Sequence, residues 1–186
     1  MTDALRTPMS RDAFFAWADR QEGRYEFDGL QPVAMVGGTV GHSLITGNLL
    51  RALGSRLAGS GCRASGPGAG IVTVGDSVRY PDVVVTCSTL RLEDRLVANP
   101  VVVFEVISPT SIRTDRVTKL LEYQAVQSIR RYVIVEATAM ALTVYVRDAT
   151  GEPFRAGGPT DPVEMPELNI AVPMSEIYDG LGLETD

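Results

Sequence analysis

The chain has 186 residues and a mass of 20.0 kDa, one domain's length and enough to bury a core. Apolar residues make up 45% and charged residues 22%, which excludes disorder and fibrous repeats, and the longest apolar runs are strand-sized, too short for a membrane-spanning helix. The net charge of −6 is uneven: residues 148–186 carry nine acids against Arg155 alone, whereas residues 1–147 carry sixteen bases and fourteen acids, so the main body tolerates a phosphate-bearing substrate without demanding one.

The first residues, MTDALRTPMSRDAFF, form no apolar leader. Cys62 and Cys87 make neither a disulfide framework nor a metal-ligand spacing. Together these features predict a soluble, cytoplasmic protein with no membrane partner. Ser10 is placed to cap a helix over 11–21 that carries Phe14, Phe15 and Trp17. Residues 24–27 and 31–36 flank Asp28-Gly29, a hairpin turn signal. A helix over 42–58 follows, with Leu44, Ile45, Leu49, Ala52, Leu53 and Leu57 at helical spacing and His42 in its first turn. The glycine-rich stretch 59–70 lacks the lysine and hydroxyl of a phosphate loop and reads as a flexible connection.

Strands are expected at 71–75, 78–86 and 101–107, with Ser108-Pro109-Thr110 breaking the last. Thr114 is placed to cap a helix over 115–127 whose inward side holds Val117, Leu120, Leu121 and Gln124. Strands at 132–137 and 142–147 form a second hairpin. The proline-rich remainder, 149–186, is expected to wrap the surface with at most a short strand and a turn. The order of elements predicts an α/β (mixed α+β) fold, a central mixed sheet flanked by helices behind an N-terminal helix and hairpin, in one domain over 1–186.

Two acids interrupt apolar strands, Asp82 in RYPDVVVTC and Glu105 in PVVVFEVISP. Pairing the apolar runs antiparallel sets Val83 against Phe104 and Val85 against Val102, which brings Asp82 opposite Glu105. Like charges so placed destabilise a sheet unless they share a proton or hold a cation, and Mg²⁺ favours one or two carboxylates with waters and substrate phosphates. The plain alternative is an acid solvated at a strand end or bridged to Arg79 or Arg113. Lys119 is the only lysine among seventeen basic residues; a compact ammonium and a guanidinium are not interchangeable, and on the helix after Glu105 it could orient an attacking water or stabilise charge on a phosphoryl oxygen. Its plain alternative is an i,i+4 pair with Asp115. His42, the only histidine, could merely help start its helix; Glu26 could pair with Arg24; Tyr123 reads as packing. Nothing in the spacing supports either cysteine with His42 as a nucleophile pair.

Pro81-Asp82 followed by Glu105-Val106-Ile107-Ser108-Pro109 resembles the signature of the PD-(D/E)XK nuclease superfamily. More narrowly, the chain resembles the bacterial Uma-two family of restriction-endonuclease-like proteins. The residues that carry this are Tyr25-Glu26 with Asp28-Gly29, His42 with Leu49, Tyr80-Pro81-Asp82-Val83-Val84, Glu105 to Pro109, Asp115 with Lys119 and Tyr123, and Tyr132 to Glu136, in family order over about 22–148. The resemblance implies a restriction-endonuclease-like core, a metal, Mg²⁺ or Mn²⁺, on Asp82 and Glu105 with the Val106 backbone carbonyl, and hydrolysis of phosphodiester bonds in nucleic acid, DNA foremost. It allows a homodimer.

One departure stands out. The lysine that the superfamily places two residues after the Glu is Ile107 here, and the family's basic role falls to Lys119 on the next helix. His42 and Glu26 match family positions and join the candidate catalytic set of Asp82, Glu105 and Lys119. Two other functions fit the same residues: a catalytically inactive module of this fold that binds nucleic acid or a protein partner, and a metal-free glycosidase dyad, for which no aromatic platform lies near the acids in sequence.

Overall fold

Ser10 caps the first helix: its Oγ accepts the Ala13 N–H at 3.2 Å, and α1 runs Arg11–Ala18, burying Phe14 in a stack on Phe27. The structure, a computed structural model, describes residues 9–107, 113–150 and 152–183. Strands β1 (Tyr25–Phe27) and β2 (Pro32–Ala34) form the expected hairpin. At its turn Asp28 Oδ1 accepts the N–H groups of Leu30 and Gln31, and Gly29 takes φ +91°. Helix α2 (Val40–Leu57) starts at Thr39, whose Oγ1 accepts the His42 N–H. Of its predicted apolar face, all but the half-exposed Leu44 are buried.

After α2 the chain forms β3 (Arg63–Ser65), β4 (Ile71–Val72), β5 (Val78–Arg79), β6 (Val83–Thr86) and β7 (Pro100–Ile107). Helix α3 (Arg113–Ala125), β8 (Arg131–Glu136) and β9 (Leu142–Val146) follow, then β10 (Phe154–Ala156), β11 (Pro162–Met165), β12 (Ile170–Pro173) and α4 (Met174–Ile177). The central sheet has the order β10-β9-β8-β7-β6-β3 and is mixed: β7 and β8 are parallel, joined across α3, and the other pairs are antiparallel. A smaller sheet, β2-β1-β5-β4, lies beside it, and β11 pairs with β12.

Helix α2 and the C-terminal elements cover one face of the central sheet, in a cluster with Val83, Val85, Val102, Phe104 and Val106. On the other face Val84 and Val103 pack with Tyr123 of α3 and Ile71 of β4. Burial on both faces explains why β7 reads as a continuous apolar run, and its alternation turns Glu105 toward α3. The predicted register is realised, with Val83 opposite Phe104 and Val85 opposite Val102.

Several expectations are corrected. The strand anticipated over 78–86 is two strands in two sheets, because Pro81 has no N–H for a ladder and the chain turns there. The loop at 59–70 contains β3, which closes the edge of the central sheet. Helix α3 begins before Thr114 rather than after it; the break expected at Ser108-Pro109-Thr110 lies outside the described residues. Val117, Leu121 and Gln124 of α3 are exposed, not inward. Cys62 and Cys87 are joined in a disulfide that ties the start of β3 to the end of β6, strands already paired with Arg63 opposite Thr86; neither is available as a thiol nucleophile. The C-terminal segment is no surface wrap: Val163, Met165, Val172, Met174 and Ile177 are buried in the main core.

Candidate active site

Asp82 is the last residue before β6, one step beyond the Val83–Phe104 pair. Both of its carboxylate oxygens are held. Oδ2 accepts the Val106 N–H at 2.8 Å, and Oδ1 lies 3.1 Å from His42 Nε2. His42 projects from the first turn of α2, and Gly38 makes room for it: a Cβ there would stand 2.7 Å from the imidazole ring. The hydrogen bond to Asp82 raises the pKa of His42 above its ordinary value, against the opposing effect of burial. His42, Asp82, Val106, Thr46 and the 35–39 segment line a cleft of about 760 Å³.

Glu105 sits in the middle of the α3-facing side of β7 and is only 6% exposed. Its Oε1 accepts the Tyr123 hydroxyl at 2.6 Å and lies 3.3 Å from Lys119 Nζ. Burial pushes the carboxyl up to about 7; Asp82 and Glu26 add to the rise, while Lys119 and the Tyr123 hydrogen bond oppose it. Among the described residues no hydrogen bond reaches Oε2. Glu105 lies on the strand next to that of Asp82.

Lys119 also lies 3.5 Å from Glu26 Oε1, and the same oxygen accepts the Tyr80 N–H. Glu26 does not pair with Arg24, whose guanidinium bonds the Pro67 carbonyl. Its partner is Arg79, at 3.2 Å, and Arg79 in turn grips Glu122. Arg79 therefore bridges two acids, though neither is Asp82 or Glu105. Contacts thus join His42 to Asp82 and Glu26 to Lys119 to Glu105, and the two groups lie side by side where Asp82 precedes β6 and Glu105 stands on the adjacent β7.

Sequence reasoning offered Arg79 only as a bridge to Asp82 or Glu105, and it missed Glu122 and the hydroxyl role of Tyr123. A signal was present. Lys119, Glu122 and Tyr123 stand at i, i+3 and i+4, one helical face, and Arg79 interrupts an apolar strand. Tyr123 is packing as expected, edge-on to Tyr132, but its hydroxyl also serves Glu105.

The profile of Uma2, described as "Putative restriction endonuclease", matches residues 11–173. The chain belongs to the Uma2 family. An uncharacterized protein of Synechocystis sp. is 27% identical to this Uma2 chain over 179 residues, covering 93% of each. The crystal structure of "a putative nuclease belonging to DUF820" from Anabaena variabilis superposes with a TM-score of 0.73, covering 92% of this chain and 98% of that one at 18% identity. That likeness establishes a shared fold, the mixed sheet flanked by helices. Among the described residues, no helix of the Uma2 chain is long and apolar enough to cross a membrane.

Proposed function

We propose that this Uma2 protein is an endonuclease of the PD-(D/E)XK type, hydrolysing phosphodiester bonds of DNA with Mg²⁺ or Mn²⁺. The observation that carries it is the pairing of Asp82 and Glu105 on adjacent strands with Lys119 against Glu105. Carboxylate oxygens are the donors a hard divalent ion takes: Asp82 lines the cleft, and Glu105 stands on the neighbouring strand with no donor to its Oε2 among the described residues. Among those residues the two acids are joined by no third acid, histidine or cysteine in a metal-binding cluster. Asp82, Glu105 and the Val106 carbonyl would hold the ion. Bound there, a divalent ion supplies Lewis acidity that makes water a nucleophile near neutral pH and offsets phosphoryl charge.

The chain's own residues supply the rest. His42 and the Val106 N–H fix both oxygens of Asp82, so its carboxylate is oriented before substrate arrives. Tyr123 and Lys119 do the same for Oε1 of Glu105 and leave Oε2 available. Lys119 places an ammonium where a water can be oriented or a phosphoryl oxygen gains charge. Ile107, where the superfamily has its lysine, is apolar and takes no part in this.

The test is cleavage of single-stranded, double-stranded and branched DNA by purified protein in Mg²⁺, Mn²⁺ or EDTA. Cutting should require the metal. Asp82→Ala and Glu105→Ala should each abolish it with the fold retained, by at least the 10²-fold typical of losing a central catalytic group. Lys119→Arg keeps the charge and should lose most activity; full activity in that variant would remove Lys119 from the chemistry. Metal-independent cutting, or none on any substrate, would overturn the proposal in favour of a binding module of the same fold.

A further inference from the structure

Behind the reactive groups lies a second layer of charge that the chemistry above does not use. Arg79 of β5 and Glu122 of α3 are both buried, and they meet fork to fork: Nε to Oε2 at 2.7 Å and Nη2 to Oε1 at 2.6 Å. Thr73 Oγ1 donates a third hydrogen bond to Glu122 at 3.0 Å. The remaining arm of Arg79, Nη1, reaches Glu26 Oε2 at 3.2 Å, and the other oxygen of Glu26 lies 3.5 Å from Lys119. The line of contact therefore leaves α3 at Glu122, passes through the small sheet at Arg79 and Glu26, and returns to α3 at Lys119.

Desolvating such a group costs about as much as its attractions return, so its main effect is geometric. Among the described residues of helix α3, Tyr123 and Leu120 supply its apolar anchorage. Val117 and Leu121 face solvent, and its inward face is Lys119, Leu120, Glu122 and Tyr123. A bidentate guanidinium is the one side chain that fixes a carboxylate in both position and plane. By taking up Glu122 and one oxygen of Glu26, Arg79 also limits how far either acid can draw the ammonium of Lys119 away from Glu105.

We propose that Arg79 is a positioning residue which, through its fork on Glu122 and its arm on Glu26, clamps α3 so that Lys119 stands against Glu105. The small sheet is then the part of the fold that delivers the clamp to the site. This rests on the assignment of Lys119 and Glu105 to the reactive centre, and two readouts separate the two ideas.

The first is kinetic. Arg79→Gln should lower kcat by about 10- to 100-fold, as loss of a supporting contact typically does, with KM for DNA changed less than about threefold. Arg79→Gln alone leaves two buried acids uncompensated, so the double variant Arg79→Gln/Glu122→Gln is the decisive one. Its unfolding midpoint should return toward wild type while kcat stays low. If kcat returns together with stability, Arg79 merely neutralises buried charge, and the clamp is overturned.

The second readout needs no catalysis. Lys119 is the only lysine in the chain, so protein labelled with ¹³C-lysine gives a single lysine Cε peak in the carbon dimension. The clamp predicts a shifted and broadened peak in the folded double variant; an unmoved peak overturns it. Should the wild type cut no DNA in any metal, the nuclease assignment falls, and this peak still decides whether Arg79 sets the environment of Lys119.

Discussion

A carboxyl group as buried as Glu105 holds its proton more tightly in the folded chain than in the unfolded one. Its pKa is about 7 folded against 4.5 in the ordinary state, so between those values the folded form keeps a proton the unfolded form has lost. By linkage, stability then falls as pH rises. The contribution of Glu105 is fully present below about pH 4.5 and gone above about pH 7. At 1.36 kcal/mol per pKa unit this is on the order of 3 kcal/mol. Glu105→Gln keeps the shape and removes the charge, so in EDTA it should gain on wild type between pH 5 and 8 by that order, read from urea midpoints at the two pH values. An equal pH dependence in both proteins would mean that Glu105 is ionised throughout. The presence of this acid was legible in the sequence because Glu105 breaks a valine run; its altered proton affinity was not, because burial, Lys119 and Tyr123 all act on it from other elements.

At the scale of elements, the hairpin and α3 show opposite degrees of legibility. The β1–β2 turn follows from local chemistry alone, Asp28 accepting two N–H groups and Gly29 adopting positive φ. The same glycine has a tertiary role that no local rule contains: a Cβ on Gly29 would lie 2.7 Å from the Gly75 carbonyl oxygen. Gly29→Ala is therefore both strained in φ and blocked by backbone, and should destabilise by more than the ~1 kcal/mol of an ordinary glycine substitution, seen as a lowered urea midpoint. Helix α3 misled the apolar pattern. Its inward face is occupied by the polar groups of the site, so Val117 and Leu121 were left outside, and hydrophobic periodicity pointed to the wrong side. The single expected strand over 78–86 failed for a related reason. Pro81 ends one ladder, and Arg79 and Asp82 then serve different sheets and different parts of the site.

For the whole molecule, the C-terminal segment matters more than its composition suggested. Its described acids and prolines are exposed or half-buried, while Val163, Met165, Val172, Met174 and Ile177 close the face of the central sheet beside α2. Glu176 pairs with Arg56 of α2 through two hydrogen bonds, and Tyr178 donates to the Glu136 carbonyl at the end of β8. Ile177→Ala, at a fully buried position, should cost about 2–5 kcal/mol, measured by chemical denaturation, and a change below about 1 kcal/mol would mean that the segment is not part of the core.

The sequence by itself determined the mixed fold, the β1–β2 hairpin and the register of β6 on β7, and it singled out the two acids that break apolar strands. Each of these rests on local periodicity, turn chemistry or the high cost of a charge in an apolar strand, and all three can be read along one chain. Only the tertiary structure decided that Arg79 and Glu122 stand behind Lys119, that Tyr123 serves Glu105, that Cys62 meets Cys87, and that the tail belongs to the core. Those contacts join residues 18 to 120 positions apart, and the free energy that forms them comes from burial shared among elements, which no single segment specifies.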